Sequence, residues 1–309
     1  MGDTVHKSVM LAEVLVALRP RSGGRYADGT LGGGGHAEAL LEASSPDGRL
    51  CGCDRDPEAV AMAEHRLARF AGRFELRVGN FAALSDWLET GSCDGVVLDL
   101  GVSSMQLEAA GRGFSFVKDG PLDMRMDPRS GISAAEVVNE YPDDELARLF
   151  YEYGQDRNGR KIAREIKRVR SHEPIRTTRQ LASLIERITP SRGDRLHPAT
   201  RVFQSLRIHV NDELGILRAG LESAWRVVKP GGRLAVISFH SLEDRIVKNF
   251  GRSLARDYRV EGSTDIPELR RPARPECRWV SSKPLTPSPQ ELADNPRSRS
   301  AHLRVIEKL

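Results

Sequence analysis

Three aspartates, a threonine and a run of glycines carry the first chemical signal in this sequence. Residues 28–36 read Asp-Gly-Thr-Leu-Gly-Gly-Gly-Gly-His, after a short strand-like run and before a helix-like one. Gly32 to Ala37 satisfy the G-x-G-x-x-G/A pattern of nucleotide-binding turns. In such turns the missing side chains admit a ligand to the backbone, and the helix amides supply donors. Asp54 ends the next strand 20 residues after Gly34, where a carboxylate holds ribose hydroxyls. Taken alone, this set indicates NAD. Asp28 argues against that: a carboxylate four residues before Gly32 repels a diphosphate but suits a ligand carrying an ammonium and a sulfonium. S-adenosylmethionine (S-adenosyl-L-methionine) is such a ligand. The order D-x-T-x-G-x-G, from Asp28 through Thr30 and Gly32 to Gly34, is like the first motif of Rossmann-like methyltransferases.

A third carboxylate, Asp99, closes the apolar run "GVVLDL" at 95–100. Its bland reading is a cap on the next helix. In a doubly wound sheet, however, strands one, two and four would each deliver a carboxylate to one crevice: Asp28, Asp54 and Asp99. "SFHSLEDR" then puts Phe239 and His240 at the same edge, although His240 reads equally well as a helix-opening residue. Methyl transfer from a sulfonium is an in-line displacement in which positioning contributes most of the rate. Where the acceptor is the exocyclic amine of a base, its lone pair is delocalised, and acceptors bonded to the N–H groups pull it toward tetrahedral geometry. Asp99 and the Ser238–His240 corner are the expected acceptors.

The elements that must position these residues follow from the apolar periods. Strands are expected at 25–28, 49–54, 74–78 and 95–100, with helices from about 36, from Pro57 behind an Asp56 cap, and near 81–88. The alternation predicts a parallel, doubly wound sheet. From about Met105 to Arg207 no strand-like run occurs and the pattern is helical; a helix ended by "KPGG" and the apolar strand "RLAVISF" (233–239) then follow. The fold expected is α/β, a Rossmann-like class I methyltransferase domain at 1–104 and 208–309 with a helical domain inserted at 105–207. "RWVSSK" and "HLRVIEKL" are expected to close the sheet as an antiparallel C-terminal edge.

Composition narrows the partners. The chain has 47 basic and 43 acidic residues, net +4, with pI ≈ 9.0. Between Asp156 and Arg207 stand 14 lysines and arginines against 5 acids, which leaves the remainder of the chain net acidic. A cationic block on an insertion beside the site points to phosphate contacts with RNA or DNA. Four cysteines, two of them spaced Cys51-Gly-Cys53, read as buried reduced thiols rather than zinc ligands, so no metal is expected. No apolar run is long enough to span a membrane, and a reducing, cytoplasmic setting is expected. Monomer and homodimer both stay open.

Several strings together are similar to one family. "HKSVMLAEV" (6–14), "DGTLGGGGH" (28–36), "CDRDPEA" (53–59), "LDLGVSSMQL" (98–107), "RGFSF" (112–116), "DGPLDMRMD" (119–127), "HPATRVFQSLRIHVN" (197–211) and "SFHSLEDRIVK" (238–248) resemble the bacterial ribosomal RNA small subunit methyltransferase H family, also called MraW. The resemblance implies an S-adenosylmethionine-dependent enzyme that methylates N4 of cytidine 1402 in 16S rRNA of the small ribosomal subunit. It also implies cofactor contacts at Gly34, Gly35, His36, Asp54, Phe81, Asp99 and Gln106, with Phe81 placed to lie against an adenine. One departure from amino-methyltransferases at large stands out. After the fourth strand Asp99-Leu100-Gly101-Val102 replaces the Asn/Asp-Pro-Pro-aromatic motif. The ring that stacks a flipped cytosine must come from elsewhere, with Phe114, Phe116, Phe239 and His240 as candidates. Apart from the resemblance, the residues leave open a methyltransferase acting on DNA or another amine, and a nucleic-acid-binding protein without catalysis.

Overall fold

The computed structural model describes residues 7–189, 197–262 and 264–309. His6, Arg192 and Arg195 of the motifs and basic block above lie outside them. Contacts divide the chain into two compact units, residues 1–101 with 214–309 and residues 102–213.

Among the described residues the first unit has nine strands: β1 (Arg25–Asp28), β2 (Arg49–Asp54), β3 (Phe74–Val78), β4 (Cys93–Asp99), β5 (Val228–Ser238), β6 (Tyr258–Val260), β7 (Arg270–Pro272), β8 (Cys277–Trp279) and β9 (His302–Lys308). Seven of them form one sheet in the order β3-β2-β1-β4-β5-β9-β8. β1 to β5 run parallel, and β9 pairs antiparallel with both β5 and β8. This is the Rossmann-like arrangement with an antiparallel C-terminal edge. β6 and β7 make a separate ribbon that the apolar pattern does not announce, because its strands are short and arginine-rich.

The period of two along each central strand sorts side chains to the two faces. Val97, Ala235, Ile237, Leu303 and Val305 join one core with α1 (Leu11–Leu18), α2 (Gly35–Ala43) and α3 (Pro57–Leu67). Val96, Leu98, Leu234, Val236 and Ile306 join the opposite core. That core contains Leu84 of α4 (Leu84–Trp87) and, further along the chain, side chains of the Glu213–Val227 and Ser241–Leu254 helices. Cys51 and Cys53 share this second face, and all four cysteines are buried free thiols. Helix α3 opens as its sequence dictates, with Asp56 accepting from the Glu58 amide at 3.1 Å and Pro57 in the first turn. "KPGG" does more than end a helix. It lies inside β5, where Gly231 takes φ +75° and a Cβ on Gly232 would come within 2.9 Å of the Cys93 carbonyl. The register of β4 against β5 shifts at that point.

The second unit is helical: α5 (Ser104–Glu108), α6 (Ala134–Glu140), α7 (Asp143–Glu152), α8 (Gly159–Arg170), α9 (Thr178–Ile188) and α10 (Thr200–Val210). The helices after it, α11 (Glu213–Val227), α12 (Ser241–Leu254) and α13 (Pro289–Asp294), return to the sheet unit. Its core takes Leu146, Leu149 and Phe150 from α7 and Ile162, Ala163 and Ile166 from α8, the three- and four-residue spacings of one helical face. The unit extends beyond Arg207 because Asn211, past the end of α10, donates to the Met124 carbonyl and accepts from the Met126 amide, both at 2.8 Å. The opposite face of α8 exposes Arg160, Lys161, Arg164, Lys167 and Arg168. Phe114 is buried in this unit's core, so its ring is committed to packing. Phe116 lies against His197 and Phe203, with ring centroids 4.7 and 4.8 Å away.

Candidate active site

The carboxyl ends of β2, β1 and β4 lie side by side, with Asp28 level with Gly52 on one neighbour and Val97 on the other. Asp28, Asp54 and Asp99 therefore share one edge of the sheet. Asp28 is 1% exposed. Its Oδ1 accepts from the Thr30 amide at 3.0 Å, while Oδ2 is buried with no hydrogen-bond partner. Asp99 Oδ1 is likewise buried and unpartnered, and Oδ2 lies 3.8 Å from His36 Nδ1. Thr30 ties the two strands: its hydroxyl accepts from the Asp99 amide at 2.6 Å and reaches back toward Asp28 Oδ1 at 3.4 Å. Burial pushes the Asp28 carboxyl up to about 7, with the Asp54 charge adding to the effect against the Thr30 bonds. Burial also holds Asp99 well above the usual carboxylate range, reinforced by the charges of Asp28 and Glu243. Asp54 is raised by burial too, against the amides of Asp56 and Gly32 that bond it.

Asp54 has a role that spacing alone does not show. Its Oδ2 accepts from the Gly32 amide at 2.8 Å and its Oδ1 from the Asp56 amide at 2.9 Å, so it closes the glycine turn. A carboxylate has about four lone-pair sites, which leaves acceptor capacity for a ligand's hydroxyls. The turn is walled by the N-terminal segment and α3. A Cβ on Gly35 would come within 2.0 Å of Ser8 Oγ, and one on Gly34, at φ +78°, within 3.0 Å of Ala63. Arg66 Nη1 donates to the Gly33 carbonyl at 2.9 Å. His36 is buried, and its Nε2 bonds the Val9 carbonyl at 3.0 Å. A carbonyl only accepts, so that nitrogen carries the proton, and Nδ1 is the nitrogen turned to Asp99. Ser8, Val9 and Arg66 touch this turn and His36, and no motif spacing in the turn isolates them.

Phe81 follows β3 and packs so closely on α11 that a Cβ on Gly220 would meet its ring at 2.1 Å. Phe81 is half-buried. At the end of β5 the amides of Phe239 and His240 both donate to Glu243 Oε2, at 2.8 and 3.3 Å. Glu243 is buried at the first turn of α12. His240 Nε2 lies 3.2 Å from Glu243 Oε1 without the angle of a hydrogen bond, and neither ring nitrogen has a hydrogen-bond partner. The three-residue spacing of His240 and Glu243 at a helix start was the signal available for Glu243. Gln106 belongs to the second unit. There its Oε1 accepts from the Ser103 amide at 3.1 Å and its amide donates to Ser103 Oγ at 3.2 Å, a capping box at the start of α5.

The sequence matches the MraW methylase family over residues 3–309. The chain belongs to the MraW methylase family. It is 53% identical over 309 residues to the ribosomal RNA small subunit methyltransferase H of Syntrophotalea carbinolica, covering 98% of both chains. It is 52% identical to the protein of the same name from Citrifermentans bemidjiense, over the whole of each. Among solved structures, an rRNA methylase from Streptococcus thermophilus aligns over 99% of both chains with a TM-score of 0.45 and 10% identity.

S-adenosylmethionine is the methyl donor of this MraW methylase, and the crevice tests that donor on its own chemistry. Asp28 Oδ2, a buried carboxylate oxygen without a partner, would stay a costly unsatisfied group. An ammonium and hydroxyl groups satisfy such oxygens, and nearby positive charge favours the ionised carboxylate. The residues present fit the group. Among the described residues no helix is long and apolar enough to cross a membrane.

Proposed function

We propose that this MraW family member transfers a methyl group to N4 of cytidine 1402 in 16S rRNA of the small ribosomal subunit. The relatives' names supply the RNA class, and Asp99 supplies the amine chemistry: a buried carboxylate oxygen with no partner at the end of β4 is the observation that carries the reading. S-adenosylmethionine supplies an electrophilic methyl group. Asp28 would hold its ammonium, Asp54 its ribose, and Phe81 its adenine, while Gly34, Gly35 and His36 form the wall beside them.

Asp99 would accept an N–H of the cytosine amine and turn the nitrogen lone pair toward the methyl carbon. Methylation makes that nitrogen cationic and acidic, so its surplus proton leaves afterwards and no strong base is needed beforehand. Phe239 and His240 would face the base at the end of β5. The helical unit at 102–213, with the exposed arginines of α8, would contact RNA phosphates. Asp99→Asn tests the assignment. It keeps the shape but turns half of the carboxylate into a donor, and kcat for methyl transfer to small-subunit RNA should fall at least 100-fold. Transfer at the native rate by the Asp99→Asn variant, with cofactor binding intact, would overturn it.

A further inference from the structure

A second concavity opens on the first unit, past the end of β5. It has a volume of about 550 Å³ and is lined by Phe239 and His240, by Asp244, Arg245 and Lys248 of α12, and by Arg299, Ser300 and His302 before and at the start of β9. Its charge is one-sided, with three long cationic side chains and two histidines around a single acid. The one acid in the cavity, Asp244, is held by Arg304 at 2.7 and 3.0 Å. Among the described residues Arg245, Lys248 and Arg299 have neither an ion pair nor a hydrogen bond. Three unpaired cations therefore converge on one cavity from segments some 50 residues apart in sequence.

Cations gathered in one concavity favour an anion there. The cavity is too large for a lone inorganic ion and lies in the range of ligand sites. It begins at an aromatic edge, Phe239 and His240, and continues into cations. A face for a base followed by charges for a backbone is the pattern of single-strand recognition.

We infer that this cavity binds the RNA phosphodiester backbone beside the target nucleotide, with Arg245, Lys248 and Arg299 contacting phosphates. The inference rests on the RNA reading above and deepens it, because it assigns a substrate subsite to the sheet unit as well as to the basic insertion. Base stacking on Phe239 and phosphate capture then share one continuous surface.

The test is a triple variant, Arg245→Ala, Lys248→Ala and Arg299→Ala, beside a charge-matched control of exposed residues, Arg19→Ala, Arg49→Ala and Lys283→Ala. Binding of purified small-subunit RNA is titrated against salt, and methyl transfer is followed in parallel. Three lost phosphate contacts should lower the slope of log K against log salt by about 2. The KM for RNA should rise roughly tenfold or more, a loss of over 1.4 kcal/mol, while kcat and affinity for S-adenosylmethionine stay within twofold. Replacing the two arginines by lysine should restore most of the slope. A slope unchanged in the triple variant, or lowered equally in the control, would overturn the inference, and native methyl transfer alongside that result would leave the proposed function standing. If the native protein transfers no methyl to this RNA but the triple variant alone loses slope, the subsite stands and the catalytic assignment fails.

Discussion

Asp28→Asn should make the ligand-free protein more stable and a poorer binder of its cofactor. Burial raises the Asp28 carboxyl from 3.8 to about 7, so between those values the native state holds a proton that the unfolded chain has released. Stability then falls as pH rises through that window, and above about 7 the penalty is complete. That difference corresponds to about 4 kcal/mol at ~1.36 kcal/mol per pH unit, and Asp28, 1% exposed, is shielded from solvent screening. Asparagine keeps an acceptor for the Thr30 amide and cannot ionise. At pH 8 the variant's unfolding midpoint should therefore lie above the parent's by roughly 8–16 °C, at about 2–4 °C per kcal/mol, and the two should converge near pH 3.5. Scanning calorimetry across pH 4 to 8 reads this directly. Asp54 and Asp99 are raised in the same direction, so a weaker fall in stability with pH should persist in the variant. Affinity for S-adenosylmethionine should rise with pH up to about 7 in the parent, because the ammonium pairs with the ionised form. In the variant that affinity should be lower by 10- to 100-fold, the value of a hydrogen bond to a charged group. A variant no more stable than the parent at pH 8, with unchanged affinity, would refute the reasoning.

Three further outcomes follow from the geometry. Gly35→Ala puts a methyl group against Ser8 and should lower both cofactor affinity and thermal stability, whereas Gly79→Ala, which meets nothing within 4 Å, should change neither; calorimetry on both variants decides it. Glu307→Ala strands Arg233, which is 6% exposed and bonded at 2.8 and 3.0 Å, so chemical denaturation should show a loss of about 3–5 kcal/mol. Phe81→Ala removes the surface offered to the adenine and should weaken cofactor binding about tenfold while leaving affinity for RNA unchanged.

The sheet was legible because each buried strand is an apolar run bounded by glycine, proline or aspartate, and because the alternation stops for a hundred residues and then resumes. The carboxylates were legible for a related reason: strand ends fix which residues meet at an edge. Contacts made across the chain were not. Ser8 against Gly35, Arg66 on Gly33 and Thr30 bridging Asp28 to Asp99 depend on packing, and no local pattern encodes them. Asp54 was expected to face a ligand, yet it also closes the turn through two backbone amides. Phe114 and Phe116 look alike in "RGFSF", but the first is enclosed in the helical core while the second is half-exposed. The basic cavity was invisible because its cations are separated in sequence and joined only by the antiparallel return of β9 beside β5.

The central claim is tested most directly by the product. Small-subunit RNA lacking the modification, treated with the pure protein and labelled S-adenosylmethionine, should yield N4-methylated cytidine at position 1402 when digested and mapped by mass spectrometry. A methyl group on C5, on another base, or on no nucleotide of that RNA would contradict the account.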